Sequence, residues 1–349
     1  MRRIVGGGRV RTYRTEDLMR QIRFVPHIRA AFLLVAMTAV AHADTTMPVR
    51  EGDLSCDRAC LKQFVDQYLQ AMVAHDPSRL PLTSDVKFTE NTVRLNFTEG
   101  LWKTATGLGS YKLYITDPWA QHAGFMGVVM ERDGPKFLGL RLRIKNKQIR
   151  EVETVVGRPG SSDPLPANLA TVMPKAFWTE PLKAGERVSR DVMITAANSY
   201  FEAIEKDASG VVPWDDSCTM GGSREANGAR APDTPEKATQ APMPPQMAEM
   251  MALKCDGIFG KGMMGGLLIP ERHFWLIDEE QGIVFGAFMF SIDAPALIEP
   301  GRRVALGGDL QKQPNAGIIA EAFKIKSGKV YGINAVTGST YAYGTRSGW

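Results

Sequence analysis

The sequence predicts an α+β fold built twice, each time as one long helix followed by a meander of long strands over which a curved sheet wraps the helix. Three observations predict it: an apolar repeat with helical spacing runs straight into alternating, strand-like segments; the same order of segments returns later in the chain; and a segment containing Pro and Gly separates the two.

Residues 20–43, RQIRFVPHIRAAFLLVAMTAVAHA, combine a basic stretch (Arg20, Arg23, Arg29), an apolar core over 30–40 and the small-x-small ending Ala41-His42-Ala43. This is the layout of a secretory signal peptide, and its apolar core is too short to span a bilayer. Cleavage is expected after Ala43, which makes residues 1–43 a signal peptide, with Met1 and Met19 both standing as starts. The whole chain carries 42 Lys and Arg against 38 Asp and Glu. Eight of the Arg but only Glu16 and Asp17 lie in residues 1–43, which leaves 34 basic and 36 acidic side chains, a balance of −2. The basicity therefore belongs to the export segment, and no nucleic-acid partner is expected. No later apolar run is long enough for a membrane span.

All four cysteines lie in the exported part, where thiols tend to be oxidised, so a periplasmic or secreted location is expected. Four cysteines allow three pairings, and Cys56–Cys60 with Cys218–Cys255 is the one that keeps each bridge inside one half. Cys56–Cys60 then staples a helix start across a loop too short to add much stability. The only histidines after residue 43 are His75, His122 and His273, none three or four residues from a cysteine or from each other, so no metal site is expected.

The first helix is read from Leu61, Phe64, Val65, Tyr68, Leu69, Met72 and Val73, with Lys62, Asp66 and Gln70 on the wet face and Pro77 as its stop. Strands are expected over 93–97, 111–116, 123–131, 136–144 and 149–156, with turns at Asp133-Gly134 and Lys145-Asn146-Lys147. These make a first domain over 54–157, followed by a linker over 158–186. Residues 199–218 then lie on 67–86 without gaps, so that Tyr68 meets Tyr200, Ala71 meets Ala203 and Pro81 meets Pro213. Residues 284–289 match 125–130, and 324–336 match 143–155 as strand, tight turn and strand. An internal duplication follows, with a second domain over 187–345. It is interrupted by an insertion over about 221–254 whose composition predicts an irregular, Met-rich excursion pinned by Cys218 and Cys255.

The helix, then AHDPSRLPLTSDVKFTENT, then long strands ending in RIKNKQIREVETVV resemble the nuclear transport factor two-like superfamily, which also holds polyketide-cyclase-like enzymes. CDRACLKQFVDQYLQAMVAHDPSRLPL and ERHFWLIDEEQGIVFGAFMF look like a family of exported tandem proteins from bacteria and fungi. The resemblance implies two cone-shaped domains, each a helix closed by a bent antiparallel sheet around an apolar pocket. It also implies either cofactor-free lyase, isomerase, cyclase or hydratase chemistry or plain binding.

Candidate residues follow from strand alternation. Tyr111, Leu113, Ile115 and Asp117 share one face, with Lys112, Tyr114 and Thr116 on the other; His273, Trp275 and Ile277 are expected on one face and Arg272, Phe274 and Leu276 on the other. His122 or Asp117 is the candidate general base with Tyr114 as hydrogen-bond donor, and His273 is the candidate in the second half. Trp102, Tyr111, Trp119 and Trp275 are candidate substrate contacts. The competing reading makes Asp117-Pro118 a turn, Trp102 core and His122 a solvated residue at a strand start. Arg141 and Glu153 are expected to pair. No nucleotide loop, G-x-S-x-G elbow or H-E-x-x-H appears, which removes the common hydrolase and nucleotide-dependent classes. The sequence thus points to an exported enzyme that needs no cofactor and acts on a small apolar or aromatic molecule. The alternative is a non-catalytic periplasmic binding or assembly protein, with a further copy of the chain as the other partner considered.

Overall fold

A computed structural model describes residues 43–52, 55–158, 170–219, 224–226, 253–257, 259, 267–292, 314–342 and 344–348. Residues 1–42 of the expected signal peptide, linker residues 159–169 and nearly all of the expected insertion, its methionines included, lie outside the described residues. Strand β1 (Asp44–Thr46) precedes helix α1 (Arg58–Val73), whose Asp57 cap accepts from Cys60 N at 2.9 Å. Its buried residues are Leu61, Phe64, Val65, Tyr68, Leu69, Ala71 and Met72, the stripe its 3-and-4 spacing requires. Strands β2 (Leu82–Glu90) and β3 (Val93–Arg94), the short helix α2 (Leu101–Thr104), and strands β4 (Gly107–Asp117), β5 (His122–Glu131), β6 (Gly134–Lys145) and β7 (Gln148–Gly157) follow. They form a sheet in the order β3-β2-β7-β6-β5-β4, antiparallel except where β2 runs parallel to β7.

A short helix α3 (Ala176–Thr179) leads to α4 (Arg190–Lys206), then β8 (Arg224–Ala226), β9 (Leu267–Asp278), β10 (Ile283–Ile292), β11 (Asn315–Lys326) and β12 (Lys329–Ala342). Their sheet runs β1-β9-β10-β11-β12-β8, with β8 parallel to β12 as β2 is to β7. Local details recur as well. Both hairpins turn on two positive-φ residues, Asn146 and Lys147 in one and Ser327 and Gly328 in the other, and both ladders slip directly before Ile144 and Ile325. Pro81 O accepts from Ile149 N at 2.8 Å, and Pro213 O accepts from Val330 N at 2.8 Å. Each helix ends in a left-handed residue, His75 or Asp207, followed by a bond back across five residues, from Asp76 N to Ala71 O and from Ala208 N to Ala203 O.

The elements stack as helix, sheet, sheet, helix. One core joins α1 to the first sheet through Leu61, Tyr68, Trp102, Phe125, Leu140 and Val152. Another joins α4 to the second sheet through Tyr200, Phe201, Phe274, Phe288 and Phe323. A third lies between the sheets, with Tyr111, Leu113, Ile115 and Phe137 against Trp275, Leu276, Phe285 and Ala320. The sheets approach so closely that a Cβ on Gly139 would stand 2.7 Å from the Ala320 Cβ. Among the described residues no helix is long and apolar enough to cross a membrane.

Several expectations need correction. The strand expected over 93–97 is only Val93–Arg94; the longer β2 before it was missed because LTSDVKFTE shows no clean apolar alternation. The irregular insertion contains β8, paired to β12. The ladders put residues 125–130 in the positions of 286–291, two residues on from the sequence match, since Phe125 faces Leu140 and Gly286 faces Glu321. Finally, β9 does not alternate simply. A bulge at Trp275 rephases the strand, so Trp275 and Leu276 both meet the first sheet while Phe274 and Ile277 both meet α4.

Candidate functional site

The last residue of β4 and the last of β9 are both aspartates, and each reaches across the seam. Asp117 accepts from both terminal nitrogens of Arg190, the first residue of α4, at 2.6 and 3.0 Å, from Ile277 N at 2.9 Å and from Ala120 N at 3.1 Å. Asp278 accepts from both terminal nitrogens of Arg58, the first residue of α1, at 2.7 and 2.9 Å, from Thr116 N at 3.0 Å and from Gln281 N at 3.0 Å. The two clasps are reciprocal, and both carboxylates have no solvent exposure. Sequence reasoning placed Asp117 in the site as a base, but every donor around it fixes it as an anchor. It missed Arg58, Arg190 and Asp278. The signal was present, because the gapless match of 67–86 to 199–218, carried back nine residues, sets Arg58 on Arg190.

His122 starts β5 opposite Asp117. It is buried, not solvated, and its Nδ1 lies 2.6 Å from the Trp275 carbonyl, which can only accept, so Nδ1 carries the proton. Burial, with Arg141 nearby, pushes its pKa down to about 3, so the ring is neutral and spent on the seam. Tyr114 is on the opposite face, donating to Asp66 Oδ1 at 2.6 Å with Lys62 over its ring; burial and the Asp66 bond push its hydroxyl pKa up. It does not meet His122 or Asp117.

Of the expected substrate contacts, Trp102 is core and its indole N–H donates to the Tyr68 hydroxyl at 2.8 Å. Tyr111 lies buried between the sheets, its hydroxyl accepting from Asn334 Nδ2 at 2.6 Å. Trp275 is fully buried edge-on to Phe285. Only Trp119 is exposed, with the Arg190 guanidinium over its ring at 4.3 Å. It lines an open cleft of about 500 Å³ above the clasps, with Arg58, Arg187, Glu279 and Glu280. The disulfides are Cys56–Cys60 and Cys218–Cys255, the expected pairing.

His273 stands on β9 two residues before Trp275, beside a charged cluster whose Arg141 also neighbours His122. There the inter-sheet core gives way to charge, because Leu140, Leu142 and Val152 face α1 and the alternating Arg141, Arg143, Glu151 and Glu153 face the second sheet. Arg141 pairs with Glu151 at 2.9 Å and with Glu153 at 3.2 Å, as expected from sequence for the second, and Arg143 pairs with Glu151 and Glu51. Burial raises the Glu151 carboxyl, but the two guanidiniums outweigh it and hold the pKa below the usual value. His273 Nδ1 lies 3.6 Å from Glu153 Oε2. Arg272, beside it, reaches α4 instead, meeting Glu205 at 2.7 Å and Asn198 at 3.0 Å. A cleft of about 200 Å³ opens here, lined by Arg141, Glu151, Glu271, Arg272, His273, Asp44 and Thr46 of β1, and Ser347. The expected catalytic residues therefore do not converge: Asp117 and His122 are tied into the seam, Tyr114 faces α1, and His273 lines the small cleft.

Residues 186–337, less than half of the chain but all of α4 to most of β12, match a family model described as "Domain of unknown function (DUF8021)". No curated protein matches. Among solved structures the chain is similar to one titled "Crystal structure of a de novo designed protein with curved beta-sheet", at 14% identity and a TM-score of 0.25, over 28% of this chain and 86% of that one.

Proposed function

We propose that the chain is an exported, non-catalytic binding protein. In this reading a nuclear transport factor two-like helix-plus-bent-sheet unit is duplicated in tandem, the two copies form a fixed pseudo-dimer, and the ligand is met at the seam and not inside either copy. The observation that carries it is the filling of both helix–sheet interiors by the protein's own aromatic side chains, Tyr68, Phe88, Phe97 and Trp102 in the first half and Tyr200, Phe201, Phe274, Phe288 and Phe323 in the second. Among the described residues a small apolar guest has no such interior to enter, whereas polar clefts stand open at the seam. The recurring hydrogen bonds and turns support the duplication. The two disulfides and the pattern over 20–43 support export to an oxidising compartment.

One observation favours a second reading, an acid/base lyase, isomerase or hydratase. His273 Nδ1 stands 3.6 Å from the Glu153 carboxylate at the edge of a cleft, a pairing of the residue types that general acid/base chemistry uses. Incubation of the full exported chain with lignin-derived and polyketide-like compounds, without added cofactor, separates the two. The binding reading expects no turnover. Turnover that disappears in His273→Ala and persists in His122→Ala would replace it with the second.

A further inference from the structure

We infer that the open cleft over the two clasps binds a zwitterionic amino acid with a large apolar side chain; this rests on the binding-protein reading above. The seam brings both strand-to-strand turns and both helix starts to this cleft, so its walls can be compared position by position. Asp117 and Asp278 end the strands before the two turns, and Asp57 and Ser189 cap the two helices. Counted from them, Pro118 and Trp119 stand where Glu279 and Glu280 stand, and Arg187 and Val188 stand where Ser55 and Cys56 stand. The clasps at the floor are alike in both halves, yet the two halves differ at every one of these positions. Holding the sheets together does not require that difference, because the same clasp closes beside either set of residues.

The differences sort by chemistry. Pro118, Trp119 and Val188 give the cleft an apolar side, and Trp119, although Arg190 lies over its ring at 4.3 Å, is still 37% exposed. An aromatic ring that keeps open surface inside a cleft is a platform for another apolar group. Glu279 and Glu280 give the same cleft an acidic side. Glu279 meets Arg190 at 3.5 Å and Glu280 meets Arg58 at 3.3 Å, but each guanidinium is already gripped through both terminal nitrogens by a buried aspartate. Four carboxylates thus share two guanidiniums, and the outer two, 49% and 43% exposed, keep capacity for an ammonium group. Arg187 supplies the opposite sign. Its Nε donates to Leu182 O at 3.0 Å, and Leu182 N donates to Glu280 O at 2.8 Å, so the guanidinium is held by its inner nitrogen. Both of its terminal nitrogens are without a partner among the described residues, and that fork is the geometry that takes a carboxylate. A cation alone leaves Arg187 unmatched, an anion alone meets Glu279 and Glu280, and a ligand without an apolar body leaves Trp119 uncovered. An α-amino acid with a large apolar side chain carries all three groups on one carbon, and the cleft of about 500 Å³ has room for it.

Titration calorimetry and saturation-transfer NMR on the full chain, disulfides intact, test the inference with phenylalanine and three compounds that each lack one of its groups: phenethylamine the carboxylate, 3-phenylpropanoate the ammonium and glycine the ring. Phenylalanine is expected to bind, and each of the others at least tenfold more weakly. Trp119→Ala and Arg187→Ala leave both aspartate clasps intact and are each expected to weaken phenylalanine at least tenfold, with a denaturation midpoint near that of the wild type. Thr46→Trp, in the smaller cleft, is expected to bind as the wild type does. The compound series needs no variant, so it decides the ligand class even where a substitution disturbs folding. Any of the three lesser compounds binding as tightly as phenylalanine overturns the zwitterion and leaves the binding reading standing. Phenylalanine binding that survives Trp119→Ala or Arg187→Ala, or that is lost in Thr46→Trp, overturns the site. No binding at about 10 mM phenylalanine, which fills most of a site whose Kd is about 1 mM, overturns the inference. Only cofactor-free turnover dependent on His273 would overturn the binding reading with it.

Discussion

Replacing Arg190 with alanine tests how the two sheets are held. Asp117 has no solvent exposure and Arg190 only 15%, so the substitution strands a buried carboxylate with two backbone donors, Ile277 N and Ala120 N, as its remaining partners. Breaking a buried pair from one side costs about 3–5 kcal/mol, because the orphaned charge keeps its desolvation penalty. The reciprocal change, Arg58→Ala, removes a partner that is 33% exposed. Water can replace part of what is lost there, and about 2 kcal/mol is expected. Substituting Asp117→Asn together with Arg190→Met removes both charges and is expected to cost less than Arg190→Ala alone. Guanidinium denaturation at neutral pH without reductant, followed by circular dichroism and by tryptophan fluorescence, reads the shift. A loss below about 1 kcal/mol for Arg190→Ala, the range of an exposed pair, refutes the clasp as an anchor. A larger effect of Arg58→Ala refutes the burial argument.

Two further outcomes are expected. Burial holds the His122 pKa at about 3, while the unfolded chain titrates near 6.5, so as pH falls through about 6.5 the unfolded state gains a proton that the folded state refuses. The contribution is complete above that pH and is lost toward 3 by about 1.4 kcal/mol per pH unit; His122→Asn should flatten the fall in stability between about pH 6 and pH 4, and an unchanged slope would contradict the neutral, buried ring. Gly139→Val drives a side chain into Ala320 on the facing strand, where neither backbone can yield, and should cost about 1–3 kcal/mol in a denaturant titration. Gly124→Ala, which meets the movable tip of Leu276, should cost less, and the reverse order would show that the sheets are not closest at Gly139.

The helices, the meander and both disulfides were legible because each has a local signature: a 3-and-4 stripe over 61–73, turn residues between runs, and cysteines confined to one half. Strand β2 was not, since its burial depends on a parallel partner some sixty residues on, and nothing in LTSDVKFTE announces which face that partner covers. The alternation of β4 was read correctly, and that of β9 failed at Trp275, where a bulge inserts one residue that no period-2 argument can foresee. The site was harder still. Conspicuous residues, His122 and Trp275 among them, were chosen for their chemistry, but a chain with two sheets face to face has to fasten them, and an imidazole N–H on a carbonyl is one way to do so.

Pairs of equivalent positions separate fastening from function better than residue type does. Where the two halves carry the same residue in the same contact, as Arg58 and Arg190, Asp117 and Asp278, or Pro81 and Pro213 do, the contact serves what both halves need, which is to hold their own sheet and grip the other. Where they differ, the fold has shown that it closes either way. Trp119 occupies the turn position that Glu280 occupies, and Glu153, Arg141 and Glu151 occupy those of Asn334, Ala322 and Gly332. Both differences fall on residues that line or underlie an open cleft, but buried charge is not confined to one half, since Lys324, at the position of Arg143, is buried as well.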